Sequence, residues 1–172
     1  MQNHFELFNL PLQFAVDAAA LDSAYRDVQN RVHPDKYVSA TDAEKRVAMQ
    51  WATRANEAYQ TLKHPQKRAQ YMCELAGVDL QTESNTAMPM AFLMQQMEWR
   101  EELGDARAAQ DVEALEGLDQ QLRRERKAQL AAIEQQISSN DYAQAAQGVR
   151  ALMFIEKLKQ EIDSALSLLE DA

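Results

Sequence analysis

The stretch Leu21-Asp22-Ser23-Ala24-Tyr25-Arg26-Asp27-Val28-Gln29-Asn30-Arg31-Val32-His33-Pro34-Asp35-Lys36 reads as a helix and the loop that ends it. Leu21, Tyr25, Val28 and Val32 recur at four, three and four residues, the period of a single apolar helical stripe, and Asp17 is placed to cap its start. Pro34 has no N–H for the helix ladder and pushes His33 out of the helical region, so the helix must end there. A second helix is expected from Thr41 or Asp42, with Val47, Trp51, Ala55, Ala58 and Leu62 on its apolar stripe and Glu44 completing a capping box with Thr41. It stops near His64-Pro65. Pro65 suits the first turn of another helix, which carries Ala69, Met72 and Ala76 before Gly77 offers a left-handed cap. Two amphipathic helices joined by a short loop should pack antiparallel.

Composition extends this reading to the whole chain. Gly and Pro total 8 of 172 residues, and 28 Ala and 18 Leu outweigh 17 Val, Ile and Thr, so the expected class is all-α. Gly-rich phosphate loops and sheet sandwiches lack their residues here. A single cysteine, Cys73, excludes an intramolecular disulfide and any zinc or iron-sulfur site built from cysteines of one chain. Met1 to Leu10 has neither the basic stretch nor the apolar core of a signal peptide, and no run approaches 18 apolar residues; the chain reads as cytoplasmic and soluble. Neither a metal nor another cofactor is expected.

Charge divides the chain. Residues 1–76 carry nine basic and nine acidic side chains, so the whole excess of −9 falls in residues 77–172. We expect a first module over 1–76, a short semi-rigid linker over 77–87, where cap and turn residues interrupt the helical pattern, and an acidic module over 88–172. Helices are predicted at about 88–103, 108–139 and 141–170. Leu115, Leu118, Leu122, Ile133 and Ile137 form one seam, weakened by Gly117, Arg126 and Gln129; Ile155, Leu158, Ile162, Leu166 and Leu169 form another, which together give a three-helix bundle.

The loop between the first two helices leaves the imidazole of His33 and the carboxylate of Asp35 in solvent, free to bond a partner, with Pro34 limiting the entropy lost on docking. On the tripeptide alone the plainer reading, a Pro-Asp turn carrying a surface histidine, weighs more. Its surroundings reverse that. Phe5 to Leu10, the Leu21–Val32 helix, His33-Pro34-Asp35-Lys36, the Trp51–Leu62 helix with Asn56 and Tyr59, and His64-Pro65-Gln66-Lys67-Arg68-Ala69-Gln70-Tyr71 together resemble a J-domain over about 75 residues. The resemblance implies a co-chaperone whose His-Pro-Asp loop accelerates ATP hydrolysis by a DnaK-class chaperone. It assigns that contact to His33, Pro34 and Asp35, flanked by Tyr25, Arg26, Gln29, Arg31 and Lys36. J-domains commonly carry a strongly basic face before the loop, whereas Asp22, Arg26, Asp27, Arg31, Asp35 and Lys36 sum to zero here. Weaker long-range steering favours a dedicated chaperone pair over a general-purpose one.

In the acidic module, Phe92, Trp99 and Leu103 cluster on one side of a helix, while Met90, Met94 and Met97 fall roughly opposite, with Glu101 extending their stripe. Unbranched thioethers beside charges suit an exposed surface that adapts to a partner; filling of the bundle core is the competing reading, and pattern alone does not separate the two. Phe92-Leu93-Met94-x-Gln96-Met97-Glu98-Trp99-Arg100-Glu101-x-Leu103 after a J-domain is similar to the HscB family, co-chaperones of iron-sulfur cluster biogenesis. That resemblance implies an acidic helical domain that binds the cluster scaffold protein, IscU, and delivers it to a specialised chaperone, HscA. By motif position the scaffold surface is Leu93, Met94, Met97, Glu98, Arg100, Glu101 and Phe154. No paired CxxC zinc segment precedes the J-domain, as in the bacterial branch.

Other classes fit less well. Cys73, His4, His33 and His64 form no catalytic set: Cys73 reads as packing, His64 as a helix boundary and His4 as a solvated terminal residue, so no enzyme is expected. One cysteine cannot hold a cluster, and the acidic helices disfavour nucleic acid and anionic lipid. The alternative function is a J-protein serving a general DnaK-class chaperone with other clients.

Overall fold

A computed structural model describes residues 2–80 and 88–171. Among these residues there are seven α-helices, one 3₁₀ turn and no strand. The chain divides into two compact units, Met1–Tyr71 and Met72–Ala172. Of the segment read as a linker, residues 81–87 lie outside the described residues.

The first unit opens with α1 (His4–Leu7), whose Phe5 is buried. Helix α2 (Ala18–Arg31) starts at Asp17, which accepts the backbone N–H groups of Ala19 and Ala20. Helix α3 (Asp42–Lys63) starts at Thr41, whose hydroxyl accepts from Glu44 N–H at 3.1 Å. The Glu44 carboxylate bonds that same hydroxyl rather than the Thr41 backbone, so the capping box is only half made. The two helices run antiparallel: Tyr59 donates to Asp22 Oδ1 at 2.6 Å, and the Tyr25 hydroxyl donates to Asn56 Oδ1. This register puts Arg31, the last residue of α2, level with Gln50. The first two turns of α3 therefore reach past α2. That overturns part of the expected stripe: Ala48, Ala55, Ala58 and Leu62 are buried, but Val47 is exposed beyond the end of α2, and Trp51, level with Asn30, is 36% exposed with the Arg54 guanidinium over its ring.

His4 is also not a solvated terminal residue. Its ring stacks on Tyr71 at 4.2 Å, and its backbone N–H donates to the Tyr71 hydroxyl at 2.9 Å. Burial pushes its pKa below the usual histidine value, against the opposing charge of Glu57. Helix α4 (Pro65–Leu75) ends as Gly77 suggests. Gly77 sits at φ +86°, Val78 N–H bonds Cys73 C=O and Gly77 N–H bonds Glu74 C=O, the paired bonds of a Schellman cap. Ala76 falls beyond the helix and is exposed.

In the second unit, α5 (Met90–Ala109), α6 (Val112–Ser138) and α7 (Tyr142–Glu170) form the expected three-helix bundle, with Asp111 and Asp141 capping the latter two. Trp99, Leu103, Leu115, Leu118, Leu122, Ile155, Leu158 and Ile162 make one core. Each such fully buried Leu or Ile supplies about 1.5–3 kcal/mol. Helices α6 and α7 run antiparallel, held by Lys159 on Asp119 at 2.8 Å and by Arg126 on Glu156. Helices α5 and α7 run parallel, since Phe92 meets Phe154 and Arg100 meets Glu161. At Gly148 the backbone of α7 comes so close to α6 that a Cβ would stand 2.9 Å from Ile133 Cγ1.

The expected end of α5 at residue 103 is corrected. The helix runs through Gly104 to Ala109 because Ala106, one turn beyond Leu103, is also buried, and that burial outweighs a glycine penalty of about 1 kcal/mol. Gln110, at φ 52°, then caps it, and α6 begins at Val112 instead of near 108.

Candidate functional site

Two surfaces carry the residues singled out in the sequence, one in each unit. The first is the tip that follows α2. Val32 caps the helix through its N–H on Val28 C=O, and His33, at φ −59° and ψ 136°, takes the extended geometry that Pro34 imposes. Pro34–Tyr37 form a 3₁₀ turn closed by Lys36 N–H on His33 C=O at 2.9 Å. The Tyr37 hydroxyl donates back to Arg31 C=O at 3.3 Å, tying the turn to the helix it follows.

Both side chains singled out at the tip are exposed, His33 by 57% and Asp35 by 88%. The imidazole is less free than expected: its Nδ1 accepts the Asp35 backbone N–H at 3.2 Å and lies 3.5 Å from the Asp35 carboxylate. In the neutral ring that leaves Nε2–H as the outward donor, beside a solvated carboxylate that can accept. Arg26, Gln29, Arg31 and Lys36 are exposed around it. Tyr25 is half-buried: its ring stacks on Tyr59 at 4.2 Å and its hydroxyl is used by Asn56. The neighbouring Tyr59 phenol bonds Asp22, which raises its pKa above the ordinary value. Tyr25 thus braces α2 against α3, whatever else it touches.

The second surface lies on α5. Trp99 and Leu103 are in the core, while Met94 is 58% and Met97 71% exposed, so the competing core reading of the thioethers does not hold. Leu93, Glu98, Arg100 and Glu101 are exposed on the same helix, and Phe154 of α7 is 39% exposed. Phe154 reaches α5 through Phe92, at 6.3 Å between rings, and Phe92 in turn meets Trp99 edge-on, so the exposed ring is anchored to the core. Arg100 is already paired with Glu161 at 3.3 Å, and Arg107 donates to the Glu161 carbonyl at 3.2 Å. The sequence reading missed this α5–α7 tie, because Glu161 is 61 residues from Arg100.

Cys73 is fully buried, and burial pushes its thiol up to about 11, with Arg150 pulling the other way. Among the described residues, no group of three or more His, Cys, Asp or Glu side chains is placed to hold a metal ion, and no helix is long and apolar enough to cross a membrane.

Comparison with known proteins matches two stretches of the chain to two family models. Residues 3–71 match the DnaJ domain, and residues 88–163 match the family described as the HSCB C-terminal oligomerisation domain. The chain is 56% identical over 168 residues to the co-chaperone protein HscB homolog of Burkholderia thailandensis, covering 98% of this chain and 96% of that one. This chain belongs to the HscB co-chaperone family. An HscB homolog of Ralstonia nicotianae is likewise 56% identical, over 169 residues, with the same coverage of both chains. Chaperone HscB from Vibrio cholerae superposes with a TM-score of 0.86 at 38% identity, over 98% of this chain and 99% of that one. Human co-chaperone protein HscB shares the fold at a TM-score of 0.89 and 24% identity, over 95% of this chain and 82% of that one. The family is one of co-chaperones and not of enzymes, and its J-domain implies a DnaK-class chaperone as partner.

Proposed function

We propose that this chain carries the iron-sulfur cluster scaffold protein, of IscU type, to a specialised DnaK-class chaperone of HscA type in the cytoplasm and stimulates that chaperone's ATP hydrolysis. On this reading residues 1–76 act as the J-domain and 88–172 as the scaffold-binding domain, joined by 77–87. The exposed thioether face of α5, with Leu93, Met94, Met97, Glu98, Arg100, Glu101 and Phe154, grips the scaffold. The His33-Pro34-Asp35 tip, flanked by Tyr25, Arg26, Gln29, Arg31 and Lys36, docks on the chaperone. Holding both partners at once raises the local concentration of client while hydrolysis closes the chaperone's grip.

The observation that carries the reading is the exposure of Met94 and Met97 on a helix whose opposite face holds the buried Trp99. Polarizable, unbranched side chains left in solvent beside charges suit a protein partner. The two halves of the reading separate experimentally. Asp35→Asn should abolish ATPase stimulation with helicity and scaffold affinity intact. Triple alanine at Leu93, Met94 and Met97 should weaken scaffold binding, measured by calorimetry, by about 1–3 kcal/mol. Full stimulation by the first variant sinks the tip, and unchanged binding by the second sinks the face.

A further inference from the structure

The surface around Phe154 continues along α7 into a cleft that the proposed function does not use. Gln144, Gly148, Ala151 and Phe154 follow one another at four, three and three residues, a single stripe of the helix, and the first three of them line a cleft of about 260 Å³. Helix α6 contributes Gln129, Ala132 and Gln136 at the same kind of spacing, and the first turn of α5 contributes Phe92. All of these residues belong to the second unit. Phe92 is the shared wall: it lines the cleft, and its ring stands 6.3 Å from that of Phe154. A protein seated on Leu93, Met94 and Phe154 therefore reaches the rim of the cleft.

The chemistry of the lining narrows the occupant. No charged side chain lines the cleft, although residues 77–172 carry the chain's whole excess of −9. Four amides do, those of Gln129, Gln136, Gln144 and Gln147. A side-chain amide both donates and accepts, as a peptide backbone does, so a ring of them fits an extended, uncharged segment of chain. Gln136 keeps its Oε1 buried with no donor bonded to it among the described residues, an open acceptor of a kind that folded proteins seldom leave. The volume falls below the roughly 300–1,000 Å³ of small-molecule sites and suits one or two side chains of a longer segment, with Phe92 and Ala151 as its apolar contacts. We propose that the scaffold protein inserts a neutral, extended segment into this cleft and donates a backbone N–H to Gln136, so that the cleft adds main-chain recognition to the grip of the thioether face. This extension rests on the reading of α5 as the scaffold-binding face.

Methyl NMR of the full chain with isotope-labelled methionine reads cleft and face together, because Met88 lines the cleft while Met94 and Met97 mark the face. Adding an IscU-type scaffold protein should move all three resonances and leave that of Met72, buried in α4, in place. Movement of Met94 and Met97 without Met88 overturns the cleft and leaves the face standing. If none of the three moves, the face fails as well. A Met88 signal that moves with HscA-type chaperone alone, or with the chain's own concentration, also overturns the proposal, since either names another occupant. Calorimetry on two variants supplies the second measurement. Gln136→Leu removes the buried acceptor with little change of volume, so the scaffold Kd should rise about 10-fold while the urea midpoint holds or rises. Ala132→Phe fills the cleft from an exposed position of α6 and should raise the Kd by about 10-fold or more. Unchanged affinity in either variant overturns the cleft; should Gln136→Leu fail to fold, Ala132→Phe decides alone.

Discussion

The His33 Nδ1 bond to the Asp35 N–H shows what a single residue can and cannot announce. Proline geometry made the turn legible, because Pro34 restricts both itself and His33. Which ring nitrogen is occupied was not, since that depends on where the next backbone N–H falls once the 3₁₀ turn closes. His4 was misread for a plainer reason: its stacking partner, Tyr71, lies 67 residues away. Cys73 was read correctly as packing, since Met72 and Ala69 on the same helix are buried with it. With its thiol held near 11, almost none is thiolate at neutral pH. Iodoacetamide at pH 7.5 should alkylate the native chain roughly 100-fold more slowly than the urea-unfolded chain. Comparable rates would mean that the thiol is not sealed.

At the scale of elements, the seams of α6 and α7 were legible because heptad-like spacing of Leu and Ile survives any tertiary arrangement: Leu115, Leu118, Leu122, Ile155, Leu158 and Ile162 are all buried. The head of α3 was not, because Val47 has the right period but lies beyond the end of α2, and only the register with α2 decides that. The end of α5 was set at residue 103, just before Gly104. It is exposed inside the helix, and a Cβ there would meet nothing within 4 Å. Gly104→Ala should therefore stabilise the chain by about 0.5–1 kcal/mol in urea titration, and a loss of stability would show that the helix does not continue there. Asp119 offers a pH test of the α6–α7 clamp. Burial raises its pKa, but the bonds from Lys159 and Arg123 outweigh that and hold it below the usual carboxylate value. A depressed pKa gives stability that is complete above the unfolded value, about 4, and is lost as pH falls through the folded one. Asp119→Asn should cost about 2 kcal/mol at pH 7, by leaving the part-buried Lys159 without its counter-charge, and the gap to the unmodified chain should close below pH 4. A gap independent of pH would assign the cost to packing.

For the molecule as a whole, composition settled the all-α class, and charge separated a neutral stretch from an acidic one before any contact was known. That asymmetry has a measurable outcome. If the tip meets the chaperone with balanced charge, raising NaCl from 50 to 300 mM should move the half-maximal concentration for ATPase stimulation by less than about 2-fold. A steep salt dependence would indicate a charged docking face elsewhere on the chain. Arg100 tells a different story at the other end. Its guanidinium is engaged by Glu161 before any visitor arrives, while Arg107 keeps hold of the Glu161 carbonyl. An incoming carboxylate would meet a guanidinium whose charge Glu161 already offsets, so an acidic newcomer gains less there than from an unpaired arginine.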